Sequence, residues 1–354
     1  MIRVCILLAT IVVLTILFRV SPAFTACYSR FVFVPVQSLR GFLSIHFSLS
    51  IGDVLYVAAG VLLVISIIRW MMYLLNWRTA NRRLVISAVT AVNSILIGYL
   101  WFLVGWGGNY YKQPLRQVWQ LDQVADTLQL ETFDSILVTR LNELAPMSGM
   151  VPQRDLQIMA VQNYHLAFNV KVAGEAIHIK YSAFSYFLQR MAIEGYYNPF
   201  TGEGQISDRL PGFMQPFVID HEMAHQLGIA SESDANLAAY AAGSVSPYPV
   251  YRYSASLNLW LYVDARLSRR DSVAAQKWEA RLNSITKAHL DTLEKLAELY
   301  DNNASRYGAQ LYDGYLKMQQ QKDGIRSYGG VTADAWRLEL MRNRNLIQGK
   351  LPLP

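Results

Sequence analysis

Two histidines four residues apart, His221 and His225 in "PFVIDHEMAHQLGIASESDAN" (216–236), carry the chain's clearest chemical signal. On a helix, that spacing places both imidazoles on one face, about one turn apart along the axis. Two neutral imidazoles so placed can share one metal ion, at roughly 2.0–2.1 Å for zinc. Glu222 is the next residue in sequence and would meet a water bound to that ion, the position of a general base in metal-assisted hydrolysis. A catalytic zinc usually takes three protein ligands and keeps one position for water, so the pair is incomplete. Glu232 is the preferred third ligand, and Asp234 is the alternative. Ser231 also reads as the N-cap of a second helix, with Asp234 in its first turn. Glu232, Ala235, Asn236 and Tyr240 then share one face of that helix.

Positioning these side chains requires a helix, a break and a second helix. Pro216 suits a first helical turn and Gly228 suits a left-handed stop. The turn-rich stretch 198–212 leads into the motif. Further along, "PYPVYRYS" (247–254) offers Tyr251, Arg252 and Tyr253 as donors to a developing oxyanion. Apolar residues recur at helical spacing in two stretches between 115 and 146, and over 182–197, 254–267 and 271–300. Alternation within 155–182, clearest at Ile177, Ile179 and Tyr181, predicts a strand or two. An exposed edge at 174–182 would let a substrate strand add to the sheet. The segments 308–324 and 332–347 close the chain. The expected fold class is α+β, mostly helical, with a small sheet.

Composition adds a membrane. The chain is 53% apolar and only 16% charged, too apolar for an ordinary soluble domain. Three runs read as transmembrane helices, at about 4–20, 54–77 and 84–106, the first being short for a span of about 20 residues. That first run reads as an uncleaved anchor: Arg19 interrupts the approach to a signal-peptidase site, and Phe24 stands where small residues are preferred. Residues 1–107 hold eight Arg and one acid, Asp53, whereas 108–354 hold 24 Lys and Arg against 25 Asp and Glu. The basic character therefore belongs to the membrane part, and nothing in the rest suggests nucleic-acid binding. Arg78, Arg82 and Arg83 crowd the short connection between the second and third runs, which places that connection in the cytoplasm. The expected organisation is a membrane anchor over 1–107 and an extracytoplasmic domain over 108–354. Cys5 and Cys27 both lie in the anchor, so the domain has no disulfide.

At residues 221–236 the sequence resembles the gluzincins, zinc peptidases with an HExxH helix and a downstream glutamate. "ESDAN" (232–236) is similar to the Glu-x-x-Ala-Asp element of membrane peptidases related to the CAAX prenyl proteases, with Asn236 in place of Asp and a shorter interval after His225. "SIGDVLY", "YYNPFTGE", "HEMAHQLGIASESDAN" and "YDGYLK" together resemble a family of uncharacterised bacterial membrane proteins defined by a domain of unknown function. This likeness implies three N-terminal spans, a zincin-like domain, and His221, Glu222, His225 and Glu232 as the functional set. The expectation is a membrane-anchored zinc metallopeptidase that cuts peptide or protein substrates outside the cytoplasm, with Zn2+ held by His221, His225 and Glu232 and Glu222 as catalytic base. The alternative is a zinc-stabilised sensor or scaffold without catalysis.

Overall fold

The computed structural model describes residues 2–124, 128–170, 176–300, 330–347 and 349–354. Three of its helices are long and apolar enough to cross a bilayer: α1 (Ile2–Val20), α4 (Ile51–Leu75) and α5 (Trp77–Gly105). The first run gains length because its helix takes in Arg3 and Arg19, long side chains that can snorkel at either end. The Arg-rich connection is mostly helical as well. The chain turns at Asn76, and Arg78, Arg82 and Arg83 occupy the first turns of α5. Between the first two spans lie α2 (Pro22–Tyr28), a π-helical turn (Ser29–Phe33) and α3 (Val34–Ser44). Ser21 starts this stretch by accepting from Phe24 N, ahead of Pro22 in the first turn.

The body follows as α6 (Leu115–Val118), α7 (Leu130–Leu144), α8 (Gln153–Ala167), β1 (Ile179–Tyr181), α9 (Ser185–Arg190), β2 (Gly195–Asn198) and β3 (Glu203–Ile206). Then come α10 (Gln215–Gln226), α11 (Glu232–Ser244), α12 (Pro249–Arg270), α13 (Ser272–Glu279), α14 (Ser284–Tyr300) and α15 (Val331–Asn343). The body is thus mostly helical with one three-stranded sheet in the order β1-β3-β2. Strand β3 runs parallel to β1 and antiparallel to β2.

Several local expectations change. Residues 155–167 form helix α8, not a strand, because Leu156, Ala160, Asn163, Tyr164 and Ala167 recur at helical spacing and are the buried ones. Over 115–124 the first stretch gives the one-turn α6 and a 3-10 turn (Leu121–Gln123), since Gln120 adopts a left-handed conformation at φ 56. The helix expected over 182–197 stops at Arg190, with Ala192 left-handed at φ 55, and the chain continues as β2. Helix 271–300 divides between α13 and α14. Segment 308–324, with "YDGYLK", lies outside the described residues.

Helix α10 is buried on nearly every side, so it is a core helix. Burying Phe217, Ile219 and Met223 contributes about 1.5–3 kcal/mol each. The alanine-rich α11 can approach it closely, and α8, α12 and β3 fill the remaining sides.

The anchor and the body share contacts. Gln37 Nε2 donates to Gly202 O at 2.8 Å, and Arg40 donates to Pro199 O and Gly105 O, each at 2.9 Å. Glu203 accepts from the backbone N–H of Ile51 and Gly52 at the start of α4, and from Lys180 Nζ at 2.8 Å. Asp53 accepts from Ser182 Oγ at 3.1 Å, from Ala183 N at 2.7 Å and from the Tyr196 hydroxyl. Helix α3 and the first turn of α4 therefore meet the body, and the last turns of α1 and α5 share a buried cluster with Ala230.

Candidate metal centre

Helix α10 starts with Pro216 in its first turn, and its early Phe217 N–H donates to Ser254 Oγ at 3.1 Å. The helix ends at Gly228, whose φ of +83 is costly for any residue with a Cβ. A Cβ there would also lie 2.5 Å from Phe33 Cε1 and 2.7 Å from Lys112 Nζ. Ser231 caps α11 through its hydroxyl and the N–H of Asp234, which makes Glu232 the first helical residue. Helix, stop and capped helix together fold Glu232 back over the two histidines.

Among the described residues, His221, His225 and Glu232 form a group whose ligand atoms lie within 4.8 Å of one another. His221 Nε2 is 3.1 Å from His225 Nε2 and 3.1 Å from Glu232 Oε2, and His225 Nε2 is 3.6 Å from the same oxygen. The opposite ring nitrogens are engaged. His221 Nδ1 is 2.8 Å from Asn236 Oδ1, and His225 Nδ1 is 2.7 Å from Ile229 O. Both partners are acceptors, so each Nδ1 carries its proton and each Nε2 presents a lone pair. Two lone pairs then face each other and a carboxylate, an arrangement that repels itself unless a cation stands between them. Donors on a tetrahedral ion at about 2.0–2.1 Å lie roughly 3.3 Å apart, which fits these separations.

The charges agree. Burial alone would raise the Glu232 carboxyl, yet His225 and His221 hold it well below the usual carboxylate range. Burial would lower His225, but Glu232 and Glu222 carry it up to about 9. Glu222 is 3% exposed, and its Oε2 has no hydrogen-bond partner among the described residues. Burial first, then Glu232 and Glu194, push its carboxyl up to about 8 against the opposing pull of His225. Gly195 on β2 makes room for it: a Cβ there would lie 2.8 Å from Glu222 Oε1.

Other candidates lie elsewhere. Asp234 turns away, its Oδ2 accepting from Leu115 N at 3.3 Å. The Tyr251 hydroxyl is buried and donates to Leu156 O, Tyr253 pairs with His289, and Arg252 donates to Ser246 O. None of the three faces the centre, because α12 turns those positions toward α8, α14 and the loop before it. Tyr240 bonds Arg140 and Glu339. The edge at β1 is largely covered: Ile179 and Lys180 are buried, and Gln157 donates to Ile179 O. The other edge strand, β2, does reach the centre, where the Tyr197 ring lies 6.2 Å from that of His225.

Three neighbours were not recognised from sequence. Asn236 orients His221, although its place on the Glu232 face was legible. Tyr262, on α12, stands beside Asn236, and burial, Glu194 and Glu232 together raise its phenol above the usual range. Trp106, just past the third span, places its ring 6.0 Å from that of His225. No local sequence signal links Tyr262 or Trp106 to the motif.

The fold and site define a mostly helical protein with three candidate membrane spans and a His–His–Glu cluster suited to a metal ion. The chain belongs to the family described as "Protein of unknown function (DUF3810)", whose model matches residues 28–333. No curated protein and no solved structure matches it.

Proposed function

We propose that this protein is a membrane-anchored, zincin-like metallopeptidase acting on peptide or protein substrates outside the cytoplasm. The observation that carries the reading is the pair of Nε2 lone pairs turned on each other and on Glu232, beside an acid, Glu222, whose Oε2 has no partner among the described residues. His221, His225 and Glu232 would hold the ion, and Zn2+ suits this nitrogen and oxygen donor set. When bound, zinc supplies a Lewis acid and lowers the pKa of water at the site to about 7.

The chain's own groups do the rest. Glu222 accepts a proton from water as its oxygen adds to the substrate carbonyl carbon. It then returns that proton to the nitrogen as the C–N bond breaks, and the remaining hydroxyl proton of the new acid passes to the amine, giving a carboxylate and an ammonium. Tyr262 takes the part assigned from sequence to Tyr251, Arg252 or Tyr253, donating its phenol hydrogen to the developing oxyanion. Asn236 and the Ile229 carbonyl fix the two imidazole tautomers. A substrate strand would align along the half-exposed β2 rather than along 174–182. The scaffold alternative gives no role to a buried acid with an unsatisfied oxygen.

The whole chain, purified in detergent, tests this by metal analysis together with mass-spectrometric cleavage of a broad peptide mixture. About one zinc per chain is expected in the wild type and in Glu222→Gln, with cleavage falling at least about 100-fold in the variant. A folded chain that takes up no zinc sinks the reading. Zinc bound without any cleavage leaves the scaffold in its place.

A further inference from the structure

The centre is fixed at the membrane end of the body. Phe102, Leu103 and Trp106, at the end of α5, are buried in one cluster with Phe18 of α1, Phe33 and Ala230. Ala230 belongs to the link between the two helices that carry the candidate ligands. Lys112 Nζ adds a hydrogen bond to Gly228 O in that link at 3.1 Å. Nothing resembling a flexible stalk separates the third span from the centre.

The height follows from the chain. Tyr99 and Trp101 are the last exposed aromatic residues of α5, and such residues sit where hydrocarbon meets headgroups. From Trp101 to Trp106 a helix rises about 7–8 Å, and the Trp106 ring is 6.0 Å from that of His225. The centre therefore stands within roughly 15 Å of the hydrocarbon edge, a distance that about three to five extended residues cover.

The surroundings have a membrane-contacting surface. The segment before α4 exposes Phe31, Leu39, Phe42, Leu43, Phe47 and Leu49. Its inward side is fixed to the body through Gln37, Arg40 and Ser44. An exposed apolar row of this extent, continuous with the spans, fits the interfacial layer of a bilayer. Helix α9 exposes Tyr186 and Phe187 just after Ala183, which is bonded to Asp53 at the start of α4.

We propose that the substrate of this centre is the polypeptide stretch adjoining a membrane anchor, cut at a set distance from the bilayer. This rests on the peptidase reading above. A peptide free in solution would gain nothing from a centre held so low, whereas a chain emerging from the same bilayer is delivered to it at a constrained height.

The test uses the whole chain in phosphatidylcholine vesicles, with peptides carrying a palmitoyl group at one end. In one series a cleavable sequence is moved along a flexible spacer, from about three to about twenty residues away from the lipid. The same peptides without palmitate, and all peptides with Glu222→Gln, are controls. The cut is expected to stay about three to five residues from the anchor as the sequence moves, with anchored peptides cleaved at least about tenfold faster than free ones. A cut that follows the sequence wherever it stands, or equal rates for free and anchored peptides, overturns the proposal and leaves the peptidase reading standing. No cleavage of any peptide overturns both.

Discussion

At the scale of single residues, the centre depends on how two imidazoles are held. His221 and His225 offer Nε2 to one point because Asn236 Oδ1 and Ile229 O accept hydrogen bonds from their Nδ1–H groups. Replacing Asn236 with Ala frees the His221 ring to turn and to change tautomer. Zinc affinity, measured by competition with a chelator, is expected to fall about 10–100-fold, as it does when such an orienting partner is lost. The far-ultraviolet spectrum should not change, because Asn236 lies within the first two turns of α11 and the substitution leaves that helix's backbone bonds in place. An unchanged affinity would mean that the ring is held by packing alone.

At the scale of elements, Gly228 decides whether Glu232 reaches the histidines. Its left-handed backbone turns the chain between α10 and α11, and Phe33 and Lys112 occupy the space that a side chain would need. Gly228→Ala should cost about 1–3 kcal/mol in backbone strain, with the overlap against Phe33 adding to it. A lower melting temperature and loss of bound metal are both expected, and a variant that melts and loads like the wild type would contradict this role for the turn.

Glu203 links another pair of elements, the sheet and the second span. Burial raises its carboxyl, but the bonds from Lys180 and Gly52 N–H outweigh that effect and hold it below its ordinary value. A lowered acid stabilises the fold at pH values above its unfolded pKa of about 4.3, and that stability is lost as pH falls through the folded value. Glu203→Gln leaves Lys180 buried without its counter-charge, a change of about 3–5 kcal/mol. The variant should melt lower at pH 7 and show a flatter decline below about pH 4.5 than the wild type. Parallel curves would show that the pair contributes nothing.

At the scale of the whole molecule, the anchor and the body are one packed unit. Phe33, Gln37, Arg40, Ser44 and Asp53 come from the first half of the anchor, yet each contacts residues after 105 or lines a cluster with them. Residues 108–354 expressed alone would expose the Ala230 side of the metal-site link and leave Lys180 and Glu203 without the start of α4. That fragment is expected to aggregate or to lack a cooperative melt, where the whole chain in detergent melts sharply. A fragment that folds and takes up zinc unaided would show that these contacts are dispensable.

Much of the site was legible because its signals are local. The four-residue spacing of the histidines, the stop at Gly228 and the Ser231 cap are consequences of helix geometry within twenty residues of chain. The three spans were legible too, because a bilayer selects for length and apolarity, which composition records. Tyr262 and Trp106 were not legible, and neither was the choice of β2 over β1, since those neighbours are made by packing across large sequence separations. For α8, two periodicities competed within one short stretch, and burial against α10 and α11 favoured the helical one. The sequence by itself determined which residues are suited to an ion and that three helices are long and apolar enough to cross a membrane. Only the tertiary structure decided how near the two lie, because that distance depends on contacts between the end of α5 and the turn after α10, more than a hundred residues apart in sequence.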